Sequence, residues 1–183
     1  MAEQPGTDIG ARRYAEAVFG LARDSGSFDQ WTDDLASMVQ LLDTPGVTAF
    51  LANDRVSMDE KRRLIDRALD ISPLAKNLAL MLLQRGRLGS ASSIRAAYQE
   101  RLDRERGVAN VQVTTAVEMT PSEREAAMAR LRELTGAYEV RITADVDPEI
   151  LGGMVVRVGD RMIDGSTRTR LIQLKRSLAG AVR

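Results

Sequence analysis

The chain has 183 residues, enough for one domain or two small ones, and 44% of them are hydrophobic, as in an ordinary globular protein. Basic and acidic side chains balance at 26 each, so no net field draws the chain to nucleic acid. It contains neither Cys nor His, which excludes disulfides, thiol nucleophiles, imidazole acid–base catalysis and Cys/His zinc sites.

The N-terminal string MAEQPGTDIG is polar and lacks the apolar core of a signal peptide. The longest uninterrupted apolar run covers residues 78–83, whereas a membrane-spanning helix needs roughly 20 apolar residues. Attachment to a membrane is therefore expected to go through other proteins.

Residues 1–7 read as a loose tail, and Asp8 is placed to cap a first helix running to about residue 24. On a helical wheel its apolar side chains fill an arc of about 200°, twice the ~100° that one core-facing stripe needs. Tyr14, Ala17, Val18 and Leu21 share one edge of that arc, and Ala15, Phe19 and Ala22 the other. Such a helix is either sunk in its own bundle or faces a core with one edge and a partner with the other.

Ser25-Gly26-Ser27 is a break, and Ser27 is expected to cap a second helix to Asp43 with Trp31, Leu35, Met38, Val39 and Leu42 inward. The lone Trp31 reads as core. Thr44-Pro45-Gly46 separates this helix from a short third one over 47–52. Ser57-Met58-Asp59-Glu60 is a capping box that opens a fourth helix, with Leu64, Ile65, Ala68 and Leu69 inward. Lys61, Arg62, Arg63 and Arg67 read as its solvated face. Ser72-Pro73 opens a fifth helix, with Pro where its missing amide costs nothing. Residues 78–83 of that helix are apolar all round, so it is central or covered by something else. Residues 90–106 form a charged sixth helix with Ile94, Ala97, Tyr98 and Leu102 inward. Six short helices with short connections predict a helical bundle.

At Gly107 the period changes from 3.6 to 2, and VANVQVTTAV is a strand. We place the boundary near residues 104–108, giving a helical bundle over 1–106 and an α/β domain over 107–183. Thr120-Pro121 starts a helix carrying Ala127, Leu131 and Leu134 and ending at Gly136. A second strand covers 138–144, with Val140 and Ile142 inward.

The terminal stretch is the most distinctive. Pro148 cannot donate a backbone hydrogen bond, so Asp147-Pro148 leaves the strand. Gly152-Gly153 predicts a bulge or a close approach between backbones. Residues 154–158 form a strand, Gly159-Asp160 a tight turn, and 161–163 the returning strand. Asp164-Gly165 ends it, and Ser166 is placed to cap a final helix whose Leu171, Leu174 and Leu178 form one stripe. The predicted fold is α+β: an N-terminal six-helix bundle, then a small β-α-β-β-α domain.

Little in the chain points to chemistry. Gly152-Gly153 is followed by no Gly-Lys-Ser/Thr and opens no helix, so it is not a phosphate loop. Asp145, Asp147 and Glu149 cluster, but nothing supplies the other ligands a metal needs. Residues 157–183 hold seven basic against two acidic side chains, including Arg157, Arg161, Arg168, Arg170, Lys175 and Arg176. That surface suits an acidic protein helix, or RNA.

The strings DPEILGG and VRVGDRMIDGS, followed by a short basic amphipathic helix, resemble the C-terminal signature of the delta subunit of the rotary, proton-translocating ATP synthase, whose mitochondrial relative is oligomycin-sensitivity-conferring protein. Its signature positions here are Asp147, Pro148, Gly152, Gly153, Gly159, Asp160, Asp164, Gly165 and Ser166. ARRYAEAVFGLA and NLALMLLQRGRL extend the likeness over nearly all of the chain. The resemblance implies a non-catalytic stator subunit, one copy in a hetero-oligomeric complex, peripheral on the cytoplasmic side of a bacterial cell membrane. It implies no catalytic residue, cofactor or metal. It implies that the helical domain grips N-terminal helices of alpha subunits and the C-terminal domain holds the b subunits of the peripheral stalk. It also implies that the first and fifth helices form the alpha groove, with Tyr14, Ala17, Val18, Leu21, Asn77, Met81 and Gln84 lining it. The alternative, from the basic C-terminal surface, is an RNA-binding β-α-β module with a helical partner domain. Salt separates the two, because log K falls by ~0.7–0.9 per phosphate contacted.

Overall fold

The computed structural model describes residues 9–180. The chain divides into two compact units, with the division between Leu102 and Asp103. The Asp8 cap and the 1–7 tail lie outside the described residues.

The first unit is built from α1 (Ile9–Ser25), α2 (Phe28–Asp43), α3 (Val47–Ala52), α4 (Met58–Ala68), α5 (Pro73–Gln84) and α6 (Ala91–Glu105), the last of which runs on across the division. A short 3-10 turn, Leu88–Ser90, precedes α6. The helix starts are set locally. At α4 the Ser57 hydroxyl accepts from the Glu60 amide while the Glu60 carboxylate accepts from the Ser57 amide, closing the capping box. At α5 the Ser72 hydroxyl accepts from the Ala75 amide and Pro73 occupies the first turn. At α2 the expected cap takes another form, because the Ser27 hydroxyl bonds that of Ser25 at 2.7 Å and makes no cap bond.

Each helix sends one stripe into a shared core. α1 contributes Ala11, Ala15, Val18, Phe19 and Ala22, α2 contributes Trp31, Leu35 and Met38, and α6 contributes Ile94, Tyr98 and Leu102. From α5 come Ala75, Leu78, Ala79, Leu82 and Leu83, so its apolar run is mostly core. Buried polar groups are paired. The Tyr98 hydroxyl donates to the Phe28 carbonyl at 2.9 Å. The buried Asp34 carboxylate accepts from the Ser72 hydroxyl at 2.5 Å and the Ser72 amide at 3.3 Å, tying α2 to the start of α5. Two expectations for α4 change. Ala68 is exposed, and Lys61 is 8% exposed, not solvated with its arginine neighbours. Its aliphatic stem is long enough to lie along the core while the ammonium reaches out.

The second unit holds β1 (Val108–Thr115), α7 (Pro121–Thr135), β2 (Glu139–Val146), a 3-10 turn at Pro148–Ile150, β3 (Met154–Val158), β4 (Arg161–Asp164) and α8 (Thr167–Gly180). The sheet order is β2-β1-β3-β4. β1 and β2 pair in parallel, which needs the crossover that α7 supplies, and the other pairs are antiparallel. α7 starts in a second capping box, Thr120 with Glu123, and ends at Gly136 in the left-handed conformation. The core of this unit packs Ala127 and Leu131 of α7 on Val111, Val113, Val140, Ile142 and Val156 of the sheet. Leu134, expected in that stripe, is 58% exposed, and the α8 stripe is uncovered, with Leu171 at 52% and Leu174 at 55%. The Leu178 side chain lies outside the described residues.

Candidate functional site

Three surfaces stand out once the cores are accounted for. The first joins α1 and α5. Tyr14 is half-buried, and its hydroxyl accepts a hydrogen bond from Nη1 of Arg85, at the C-terminal end of α5, at 3.3 Å. This bond brings the second turn of α1 to the end of α5. Ala17 and Leu21 continue the edge one and two turns on, and both are exposed, Leu21 at 46%. Val18 is a correction: at 3% exposure it belongs to the core, because the α1 axis is turned so that 11, 15, 18, 19 and 22 point inward. On α5, Asn77 and Gln84 are exposed and Met81 is half-buried. Sequence reasoning missed Leu74, which is 52% exposed. Its spacing to Asn77, Met81 and Gln84 is three, four and three residues, so the helical period alone would have found it. None of the cavities described below is lined by the residues expected for the alpha groove.

The second surface is a hollow of about 320 Å³ between the C-terminal ends of α2 and α5, helix α3, and the start of α6. Val39, Leu42, Leu51, Leu83, Leu88 and Ala91 make it apolar, and Asp43, Thr48 and Ser92 are its polar members. No sequence signal pointed to it, because its walls come from four separate helices.

The third is the C-terminal signature, whose two halves meet. The Gly152 carbonyl accepts from the Thr167 amide at 2.9 Å, and the Met154 carbonyl from the Gly165 amide at 3.0 Å. Gly153 has φ +75°, and a side chain there would meet the Gly165 carbonyl oxygen. Leu151, just before the glycine pair, holds a left-handed φ of 64° and is 66% exposed. Asp147 accepts from the Glu149 amide at 2.9 Å and starts the 3-10 turn with Pro148. Gly159 takes a positive φ in the β3–β4 turn before Asp160. Asp164 accepts from the Ser166 amide at 2.8 Å and the Thr169 hydroxyl at 2.7 Å, and the buried Ser166 hydroxyl accepts from the Thr169 amide at 3.2 Å. The Ser166 hydrogen bonds first, and then that of Thr169, hold the Asp164 carboxyl below its ordinary value. These residues build the joint between β3, β4 and α8.

The described residues contain no group of three or more His, Cys, Asp or Glu that could hold a metal, and no helix long and apolar enough to cross a membrane. Arg168 pairs with Glu149 at 3.1 Å. Arg157, Arg161, Arg170, Lys175 and Arg176 are exposed.

The family model described as ATP synthase delta (OSCP) subunit matches residues 11–178. A protein named ATP synthase subunit delta from Nitratidesulfovibrio vulgaris is 38% identical over 174 residues, covering 92% of this chain and 94% of that protein. One of the same name from Dehalococcoides mccartyi is 32% identical over 169 residues, covering 92% and 93%. A chain in the cryo-EM structure of the Toxoplasma gondii mitochondrial ATP synthase hexamer shares the fold, with a TM-score of 0.66 at 22% identity, covering 92% of this chain and 97% of that one. A match that runs through the glycine joint at one end and the α1 and α5 faces at the other leaves one assignment: the chain belongs to the ATP synthase delta (OSCP) subunit family.

Proposed function

We propose that this chain is the non-catalytic peripheral-stalk subunit of an F-type ATP synthase. It links the catalytic head to the b subunits, so that the head resists rotor torque during proton-driven ATP synthesis. The helical unit holds N-terminal helices of the alpha subunits on the α1–α5 face, and the second unit holds the b subunits. One copy serves each complex, peripheral on the cytoplasmic side of a bacterial cell membrane. The observation that carries this reading is the family match, which takes in both units.

The physical demand on such a part is tight passive binding, and its surfaces suit that demand. Exposed Leu21 and Leu74 and half-buried Met81 offer apolar area for a helix laid into a groove. The RNA reading has less support, since no strand of the sheet carries an aromatic residue on which a base would stack. Affinity purification of the chain from its own cells, with mass spectrometry of what accompanies it, is the test. Alpha and b subunits should come down together. Recovery of RNA in their place, lost steeply with salt, would overturn the reading.

A further inference from the structure

The hollow between the ends of α2 and α5, helix α3 and the start of α6 is apolar inside and negative at its rim. No Lys or Arg is among its lining residues, and Asp43 is the one charged group there. The Asp43 carboxylate is exposed and makes no hydrogen bond or ion pair with the described residues. Two helix C-termini, those of α2 and α5, border the hollow against one N-terminus, that of α6. A helix C-terminus carries partial negative charge. The rim therefore favours a cation, and the walls favour hydrocarbon.

The walls are held apart by packing. Leu51, Leu83 and Ala91 belong to the core, at 5%, 7% and 2% exposure, so the deep side is fixed. The Thr48 hydroxyl donates to the Leu42 carbonyl and ties the start of α3 to the end of α2. Gly89, in the 3-10 turn before α6, also lines the hollow. Unlike Gly86 it holds no positive φ, and a Cβ on it would meet nothing within 4 Å. Neither conformation nor crowding calls for glycine there, although glycine costs backbone entropy on folding. What its bare backbone leaves is an open wall. A dry apolar cavity of ~150 Å³ takes one benzene ring. The hollow, at about 320 Å³, has room for a ring and a short chain.

We propose that this hollow is a binding site for a small apolar amine. The hydrocarbon body lies on Val39, Leu51, Leu83 and Leu88, and the ammonium stands at the rim beside Asp43. Apolar burial supplies most of the affinity, because a carboxylate in contact with water attracts a cation only weakly. Asp43 supplies the choice among ligands of one shape and different charge. The site shares no residue with the α1–α5 face and does not rest on the stalk reading.

Three probes of one shape test this on the full chain at low salt: phenylbutylamine, phenylbutanol and phenylbutyrate, each titrated while amide chemical shifts are followed. The amine should saturate with a Kd on the order of 1 mM. The amides that move should be those of Leu51, Leu88 and Ala91. The alcohol should bind about threefold more weakly, and the carboxylate more weakly still. Asp43→Asn, at an exposed position, should leave the fold and the affinity for the alcohol unchanged and bring the amine down to the alcohol's level. Equal affinity for all three probes in the wild-type chain, or a preference for the amine that survives Asp43→Asn, would overturn the proposal. So would an amine that fails to saturate or that moves only amides outside the hollow. Displacement of the amine by an alpha N-terminal peptide would give the hollow to a partner helix and overturn the small-ligand assignment.

Discussion

The backbone at Gly165 passes so close to Gly153 that a methyl group on Gly153 would sit 2.5 Å from the Gly165 carbonyl oxygen and 3.3 Å from Cα of Ser166. A real side chain never comes that near, and the obstacle is backbone, which cannot turn aside. Gly153 also needs its positive φ. Gly153→Val should therefore cost the second unit about 3 kcal/mol or more. The helical unit should stay folded. Denaturant titration followed by amide exchange in each unit measures this, and an unchanged second unit would show that the close approach is slack.

Ala17 gives a cleaner separation of folding from binding. It is exposed on α1, between half-buried Tyr14 and exposed Leu21. Ala17→Asp should leave the helical signal and melting unaltered. In a complex with an alpha N-terminal peptide the same carboxylate would be unpaired in an apolar contact, and binding should fall below detection by calorimetry. Undiminished binding moves the contact elsewhere on the helical unit.

The second unit should be the more mobile half of the free chain. Its uncovered apolar side chains include Leu134, Met162, Ile163, Leu171, Ile172 and Leu174, and α8 has no buried residue among those whose side chains are described. Amides in 108–177 should exchange faster than those of the first unit, and the same peptide from the C-terminus of the b protein should slow them. Equal protection of both halves without peptide is the outcome that counts against this.

Acid should loosen the α8 joint first through Asp164. Its ordinary value is 3.8, and the Ser166 and Thr169 hydrogen bonds lower it in the folded chain. A carboxyl with a depressed folded value stabilises the fold above its unfolded value and loses that contribution as pH falls through the folded one. Protection of the α8 amides should thus hold at pH 5 and decline below about pH 4. Asp164→Asn should show lower protection at pH 5 and a flatter decline. An unaltered pH profile in the variant would remove Asp164 from the account.

The sequence revealed most where causes are local. Ser57 with Glu60 and Thr120 with Pro121 mark helix starts within four residues, and both starts are where expected. The Gly152-Gly153 pair announced a close approach, and Gly165 supplies the second backbone. Where legibility failed, the cause was tertiary. Ala17 and Val18 are one step apart on the wheel, yet one is exposed and the other 3% exposed. An apolar arc states that a helix is amphipathic and not which part of the arc meets its own bundle. Leu134, Leu171 and Leu174 repeat the lesson, for a stripe at helical spacing is silent about whether anything lies on it. The hollow of about 460 Å³ beside α7 was invisible in the sequence because its walls, Leu134, Met154 and Ile163, come from a helix and two strands that only the tertiary fold brings together.

Asp103 has one more consequence. In the last turn of α6 this buried carboxylate accepts from the Asn110 amide group at 2.6 Å and pairs with Arg141 at 3.5 Å, so the helix end is bonded to both parallel strands. Between α6 and β1 stand only Arg106 and Gly107, a span of at most about 7 Å when extended. Asp103 itself falls within the second unit. A truncation meant to isolate that unit should therefore begin before Asp103, because one that begins at Gly107 strips Asn110 and Arg141 of this carboxylate.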